Sequence, residues 1–271
     1  MAFNNATGWL WNIQNSMRTI IQNIAHYLYN QEDLNMFVNT KYRSTQQEIM
    51  DDLSMEGDML RNTLDQLVLI NKRLGGNKAT INGLHTLLKT EPKDSTISII
   101  DLGCGSGDIL RAAADYGRKN NFTFKLTGID ANEYTVNYAR QLSVNYPEIS
   151  YKKMNILGDE FVAPKSDIVI ATLFFHHFTN EEITTILKQH AIKTRIGIII
   201  NDLHRSSAAY YLFKLISNFI SNPMVRNDGA ISVLRGFKKN ELINIGKKIN
   251  NTASYIRWKW AFRYQWIIKK I

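Results

Sequence analysis

The sequence predicts an α/β fold: a seven-stranded mixed sheet flanked by helices, preceded by an N-terminal helical cap. Three observations carry this. Residues 1–90 hold apolar positions at helical spacing and no continuous strand signal. From Thr96 onward, strongly apolar strands alternate with amphipathic helices. Between the two regimes lies Ile99-Ile100-Asp101-Leu102-Gly103-Cys104-Gly105-Ser106-Gly107-Asp108-Ile109-Leu110, which reads as a buried strand, a glycine-rich turn and a helix start. Strands apolar on both faces need helices on both sides, which implies a largely parallel sheet.

The cap is assigned to residues 1–92 and the sheet domain to 93–271. Within the cap, Leu10, Ile13, Met17, Ile20, Ile21, Ile24 and Leu28 place an apolar stripe on a helix over 7–30. Packing on the main domain, a dimer contact and a membrane-surface contact all remain open for that stripe. Trp9 to Leu28 also carries Asn, Gln, Arg and His, so it fails as a membrane span. Residues 44–56 and 58–74 read as further helices, and Gly75-Gly76-Asn77 stops the second. A shorter helix covers 78–90, and Glu91-Pro92-Lys93-Asp94 is a linker.

The sheet domain follows in order. Strands are predicted at 96–102, 122–130, 149–155, 167–173 and 196–202. Helices are predicted at 109–120, 133–146, 181–193, 206–221 and 240–249, and the tail supplies two more strands. The tail also explains the charge. Ile231–Ile271 contains ten Lys/Arg and one Asp/Glu, which accounts for the whole formal net charge of +9. With Tyr255, Trp258, Trp260, Phe262, Tyr264 and Trp266 interleaved, it reads as paired strands with basic outer faces and aromatic inner ones, contact with nucleic acid or a membrane surface being the alternative. The single cysteine excludes an intramolecular disulfide and points to a reducing, cytoplasmic setting. No secretory leader is visible.

Two constellations carry chemistry. Gly103, Gly105 and Gly107 form a turn between strand and helix that permits positive φ and a close backbone approach to a ligand. The dinucleotide pattern G-x-G-x-x-G is not completed, because its sixth position is Asp108. Asp130 ends the next strand, where a carboxylate can accept both hydroxyl protons of a ribose, or cap the following helix.

Together these resemble the class I S-adenosylmethionine-dependent methyltransferases, over residues 96–205. The resemblance implies a Rossmann-like fold and S-adenosyl-L-methionine as cofactor. Asp101 would neighbour its amino-acid portion, with Gly103, Gly105 and Gly107 beneath its ribose and methionine. Asp130 would hold the ribose hydroxyls, with Ala131 at the adenine. Asn155 and Ile156 would lie beside the adenine amine, and Thr172 along the cofactor. Arg43, in the cap, is a candidate for the cofactor carboxylate. The phrases Glu48–Asp52, Ile70–Gly76 and Asn201–Ser206 with Tyr210–Leu212 further resemble a bacterial subgroup linked with aromatic or polyketide natural-product pathways.

The acceptor is then expected to be a small aromatic or polyketide-like molecule methylated on oxygen. C-methylation of an activated ring is an alternative. A nicotinamide-dependent oxidoreductase and a non-catalytic cofactor-binding regulator are the rivals from other classes. Removing a phenol or enol proton needs a base near neutrality, usually histidine. His204, after the fifth strand, is the first candidate, then His177 and His176 after the fourth. Arg205 either holds an acceptor carboxylate or phenolate or sits in solvent. Nucleic-acid methylation is disfavoured: the D/N-P-P-Y/F signature is replaced by Thr172-Leu173-Phe174-Phe175, and the only cysteine, Cys104, lies inside the turn. No metal is expected, since Thr172 supplies no carboxylate and Asn201-Asp202 alone is too little.

Overall fold

The computed structural model describes residues 38–158 and 161–271. The stripe at 7–30 lies outside the described residues. Helices α1 (Asp58–Arg73) and α2 (Gly76–Leu88) precede strand β1 (Thr96–Leu102). There follow α3 (Asp108–Lys119), β2 (Thr123–Asp130), α4 (Glu133–Leu142), β3 (Ile149–Lys153) and β4 (Ser166–Thr172). Then come α5 (Asn180–Lys193), β5 (Thr194–Leu203), α6 (Ser207–Ser217), α7 (Pro223–Arg235), α8 (Lys239–Gly246), β6 (Thr252–Lys259) and β7 (Arg263–Lys270).

One seven-stranded sheet forms in the order β3-β2-β1-β4-β5-β7-β6. The first five strands are parallel, and β7 inserts antiparallel between β5 and β6. The sheet is the Rossmann-like one expected. Alternation along β1 explains its two covered faces. Ile97 and Ile99 pack with Leu84, Leu87 and Leu88 of α2 and with Ile109 and Leu110 of α3. Ile100 and Leu102 face the other way, onto Ile183 and Ile186 of α5 and Leu242 of α8. Each such buried side chain contributes about 1.5–3 kcal/mol of transfer free energy. The strand order reverses between β1 and β4, and a crevice opens there beyond the strand ends.

Two elements differ from expectation. The helix predicted at 44–56 is an extended segment with one short turn at Ile49–Asp51. Tertiary partners override local propensity: the Asp228 carboxylate accepts the Ile49 and Met50 amides at 2.9 and 3.0 Å. We refer to residues 38–57 as the strap. Conversely, α7 has no counterpart in the pattern reading. Its buried residues, among them Met224, Asp228 and Arg235, do not form one apolar stripe, so periodicity is silent. The signal that does mark it is the Asn222 cap followed by Pro223 at the first helical position. Among the described residues no helix is long and apolar enough to cross a membrane.

Candidate active site

A cavity of about 770 Å³ opens at the carboxyl ends of β1, β2 and β4. Its floor is the glycine turn. Gly103, Gly105 and Gly107 have φ of 64°, 50° and 78°. The three positions differ in what they face. A Cβ on Gly103 would lie 2.0 Å from the Phe174 ring, and one on Gly107 would lie 2.0 Å from the Tyr151 hydroxyl. One on Gly105 would meet only Leu64, at 3.9 Å, so there the backbone itself lies bare toward the cavity. Gly107 begins α3 and stands behind the cavity wall rather than in it.

Three carboxyls crowd this floor. Asp101 is buried, and its Oδ1 has no hydrogen-bond partner among the described residues. Burial, then the neighbouring Asp108 and Asp130, push its pKa well above the usual range. Asp108 and Asp130 are also raised, in both cases chiefly by burial. Such a floor favours a cationic ligand, which would restore the solvation these groups lack. Asp130 is aimed by its own backbone contacts: Oδ2 accepts the Gly105 amide and Oδ1 the Asn132 amide, each at 3.0 Å. Each oxygen retains a lone pair for a ligand hydroxyl. The helix-capping role falls to Asn132, whose side chain accepts the Thr135 amide at 2.8 Å. Ala131, Asn155, Ile156 and Thr172 line the same cavity.

Arg43 also reaches the wall, but its guanidinium is already engaged. Nε donates to the Arg235 carbonyl at 2.8 Å, Nη1 to Asn180 Oδ1 at 3.1 Å and Nη2 to the His176 carbonyl at 2.8 Å. It braces the strap against the loop after β4, and a cofactor carboxylate would have to displace those bonds.

The loop after β4 brings two histidines under the strap. His176 is buried, with Nδ1 2.7 Å from Asp202 Oδ1 and Nε2 3.5 Å from Glu48 Oε1. Burial alone would lower this imidazole, but Asp202 and Glu48 outweigh it and pull it up to about 9. Glu48 and Asp202 are lowered in turn, despite their burial, with His176 as the main counterweight. A raised His176 stabilises fully below its unfolded value of about 6.5, and the contribution is lost as pH rises toward about 9. The lowered Glu48 and Asp202 stabilise above their unfolded values near 4 and lose that contribution in acid. Limited proteolysis within the strap should therefore be slowest between about pH 5 and 6.5 and quicken steadily toward pH 9. Rates that stay flat over that range would contradict the clamp.

His177 lines the cavity, with Nδ1 2.7 Å from Asp51 Oδ1. Arg235 Nη1 donates to Asp51 Oδ2 at 2.5 Å, and its Nη2 to the His177 carbonyl at 2.6 Å. Burial would raise Asp51, yet His177 and Arg235 hold it far below the usual carboxylate range. Donor atoms of Glu48, His176 and His177 lie within 4.8 Å of one another, a spacing a metal ion can use. Arg235 Nη1 stands 3.8 Å from Glu48 Oε1, however. Arg235 already pairs with Glu48 and Asp51, and His176 with Asp202. A divalent ion would unbalance that set.

His204 is placed elsewhere than expected. Strand β5 stays paired with β7 as far as Leu203 and Arg263, so His204 emerges beside the β6–β7 hairpin and outside the cavity. Trp258 donates its indole N–H to His204 Nδ1 at 3.3 Å, and the Tyr264 and Phe262 rings lie 5.0 and 6.3 Å away. Burial, with Lys238 and Arg205 nearby, lowers its pKa to about 4. Arg205 neither faces the cavity nor sits in solvent. It is fully buried, with Nη2 2.6 Å from Glu241 Oε1 and Nε donating to the Thr40 carbonyl at 3.0 Å. Pattern reading singled out neither Asp51 nor Arg235 for this site. The only signal was the acidic pair Glu48 and Asp51 in a segment that does not become a long helix.

Fold, cradle and sequence together define the class. Residues 99–194 match the family described as "Methyltransferase domain", and the chain carries an S-adenosylmethionine-dependent methyltransferase domain. Among solved structures, the chain is similar to the plantazolicin methyltransferase BpumL in complex with S-adenosylhomocysteine. That match has a TM-score of 0.58 and 15% identity, covering 79% of this chain and 100% of the other. It is also similar to magnesium protoporphyrin IX methyltransferase (ChlM) from Synechocystis PCC 6803 with bound S-adenosylmethionine. There the TM-score is 0.50 at 14% identity, over 82% of this chain and 88% of that one. No curated protein matches the chain in sequence.

Proposed function

We propose that the protein methylates an oxygen of a small aromatic or polyketide-like acceptor, with His177 receiving the proton. The observation that carries this is continuity: one cavity runs from the glycine turn and Asp130 to His177. Met50, Leu53, Phe174 and Phe178 line the same space and suit an apolar, flat acceptor. The neighbours named for plantazolicin and magnesium protoporphyrin IX are in keeping with an acceptor of that kind.

When bound, the cofactor supplies an electrophilic methyl group on a sulfonium. Asp101 and the bare backbone at Gly105 would hold its amino-acid end, with Gly103 and Gly107 shaping the turn. Asp130 would take the ribose hydroxyls, and Ala131, Asn155 and Ile156 would flank the adenine. Thr172 would lie along the cofactor. The strap and α1, which line the cavity, cover the acceptor side and exclude water that would hydrate the reacting oxygen. Asp130→Ala should weaken S-adenosylhomocysteine binding by roughly 10- to 100-fold in calorimetry, since it removes a charge-assisted acceptor pair and orphans the Gly105 amide.

The test of the reading is a radiolabelled-methyl screen over phenolic, pyrone and lipid-linked acceptors, with mass spectrometry of the product. Methyl on a phenol or enol oxygen is the expected result. Methyl on carbon, or no heat with S-adenosylhomocysteine, overturns it.

A further inference from the structure

We propose that Asp51, on the strap, is the positioning residue of the reaction, holding His177 in the tautomer that leaves Nε2 free toward the acceptor. The role rests on the reading of His177 as proton acceptor. A neutral imidazole has one donor and one acceptor nitrogen, and an ionised carboxylate only accepts. With Nδ1 2.7 Å from Asp51 Oδ1, the ring proton belongs on Nδ1 and the lone pair on Nε2. Nε2 has no hydrogen-bond partner among the described residues, and His177 lines the cavity.

Asp51 cannot drift from this pose. Its other oxygen accepts from Arg235 Nη1 at 2.5 Å and from the Glu48 amide at 3.0 Å. The same guanidinium holds the His177 carbonyl at 2.6 Å and the His176 carbonyl at 3.1 Å. One rigid cation thus spans both members of the dyad and sets their spacing. In the transfer, the acceptor O–H bond breaks as O–CH3 forms. The proton passes to Nε2, and the S–CH3 bond yields its electron pair to sulfur, leaving a neutral thioether. The imidazolium left behind faces the Asp51 anion, which stabilises it.

A bracing role for Asp51 is separable from this one, because the strap is fastened independently. Asp228 accepts the Ile49 and Met50 amides, and Asn132 Nδ2 donates to the Leu53 and Met55 carbonyls at 3.1 and 2.8 Å. Asp51→Asn is therefore a usable probe. In long-range 1H–15N spectra of the labelled protein with S-adenosylhomocysteine, a resonance lost in His177→Ala should report the Nδ1–H tautomer. It should move toward Nε2–H in Asp51→Asn. A wild-type Nε2–H tautomer overturns the proposal without any acceptor in hand. With an acceptor, Asp51→Asn should lower kcat roughly 100-fold and leave KM and S-adenosylhomocysteine affinity within about twofold. In a His177→Ala background the same change should cost nothing further. A loss that persists there makes Asp51 a brace and overturns the proposal. A His177→Ala variant with wild-type kcat overturns the proton-acceptor reading itself, and this role with it.

Discussion

His177→Ala is expected to lower turnover by roughly 10² to 10⁴ while S-adenosylhomocysteine binds as before. The side chain lines the cavity beside the strap, and its loss leaves the floor of Asp101, Gly105 and Asp130 intact. His204→Ala makes the contrast. Its ring lies outside the cavity, and its Nδ1 is occupied by the Trp258 indole. Turnover should stay near wild type, and stability should fall by only about 0.5–1.5 kcal/mol, because the exposed indole N–H can turn to water. Initial rates, calorimetry and urea unfolding on the two variants check this. A large rate loss in His204→Ala with an unaffected His177→Ala would reverse the assignment.

Gly103→Ala should be far more damaging than Gly105→Ala, two residues along the same turn. Its φ of 64° costs an alanine about 1–2 kcal/mol. The new Cβ would stand 2.0 Å from the Phe174 ring. Phe174 cannot retreat easily, because Phe178 and Phe175 pack on it with centroids 4.9 and 5.7 Å away. Overpacking adds about 1–3 kcal/mol. Gly105→Ala shares the positive φ but meets only Leu64 at 3.9 Å. It should lose only about 1–2 kcal/mol of stability and show its main effect as weaker cofactor binding, since its Cβ enters the cavity. Denaturant midpoints and calorimetry separate the two. Equal stability losses would mean that Phe174 does not pack on Gly103 as described.

The sequence was most legible where structure is local. β1, the glycine turn and α3 lie within one run of chain, and hydrophobic period, turn glycines and helix start agree there. Asp130 was equally readable, because the end of β2 is set by the same period. The strap was misread because its conformation comes from Asp228 and Asn132, both distant in sequence. Helix α7 was missed because burial around much of its circumference erases the one-sided pattern that periodicity detects.

His204, the first candidate by spacing, lies outside the cavity for a related reason. His204 and His177 both follow strand ends, and nothing local tells which end opens on the cavity. That depends on β7 pairing along β5 as far as Leu203, a long-range register invisible to spacing. So the sequence by itself determined the α/β class, the sheet with its helices and the cofactor cradle, because each is written in contiguous periodicity and turn chemistry. Only the tertiary structure decided what surrounds His177. Asp51 and Arg235 come from the strap and α7, and His176 is held by Glu48 and Asp202. The energy that selects those pairings is the burial of charge far along the chain, which no local pattern records.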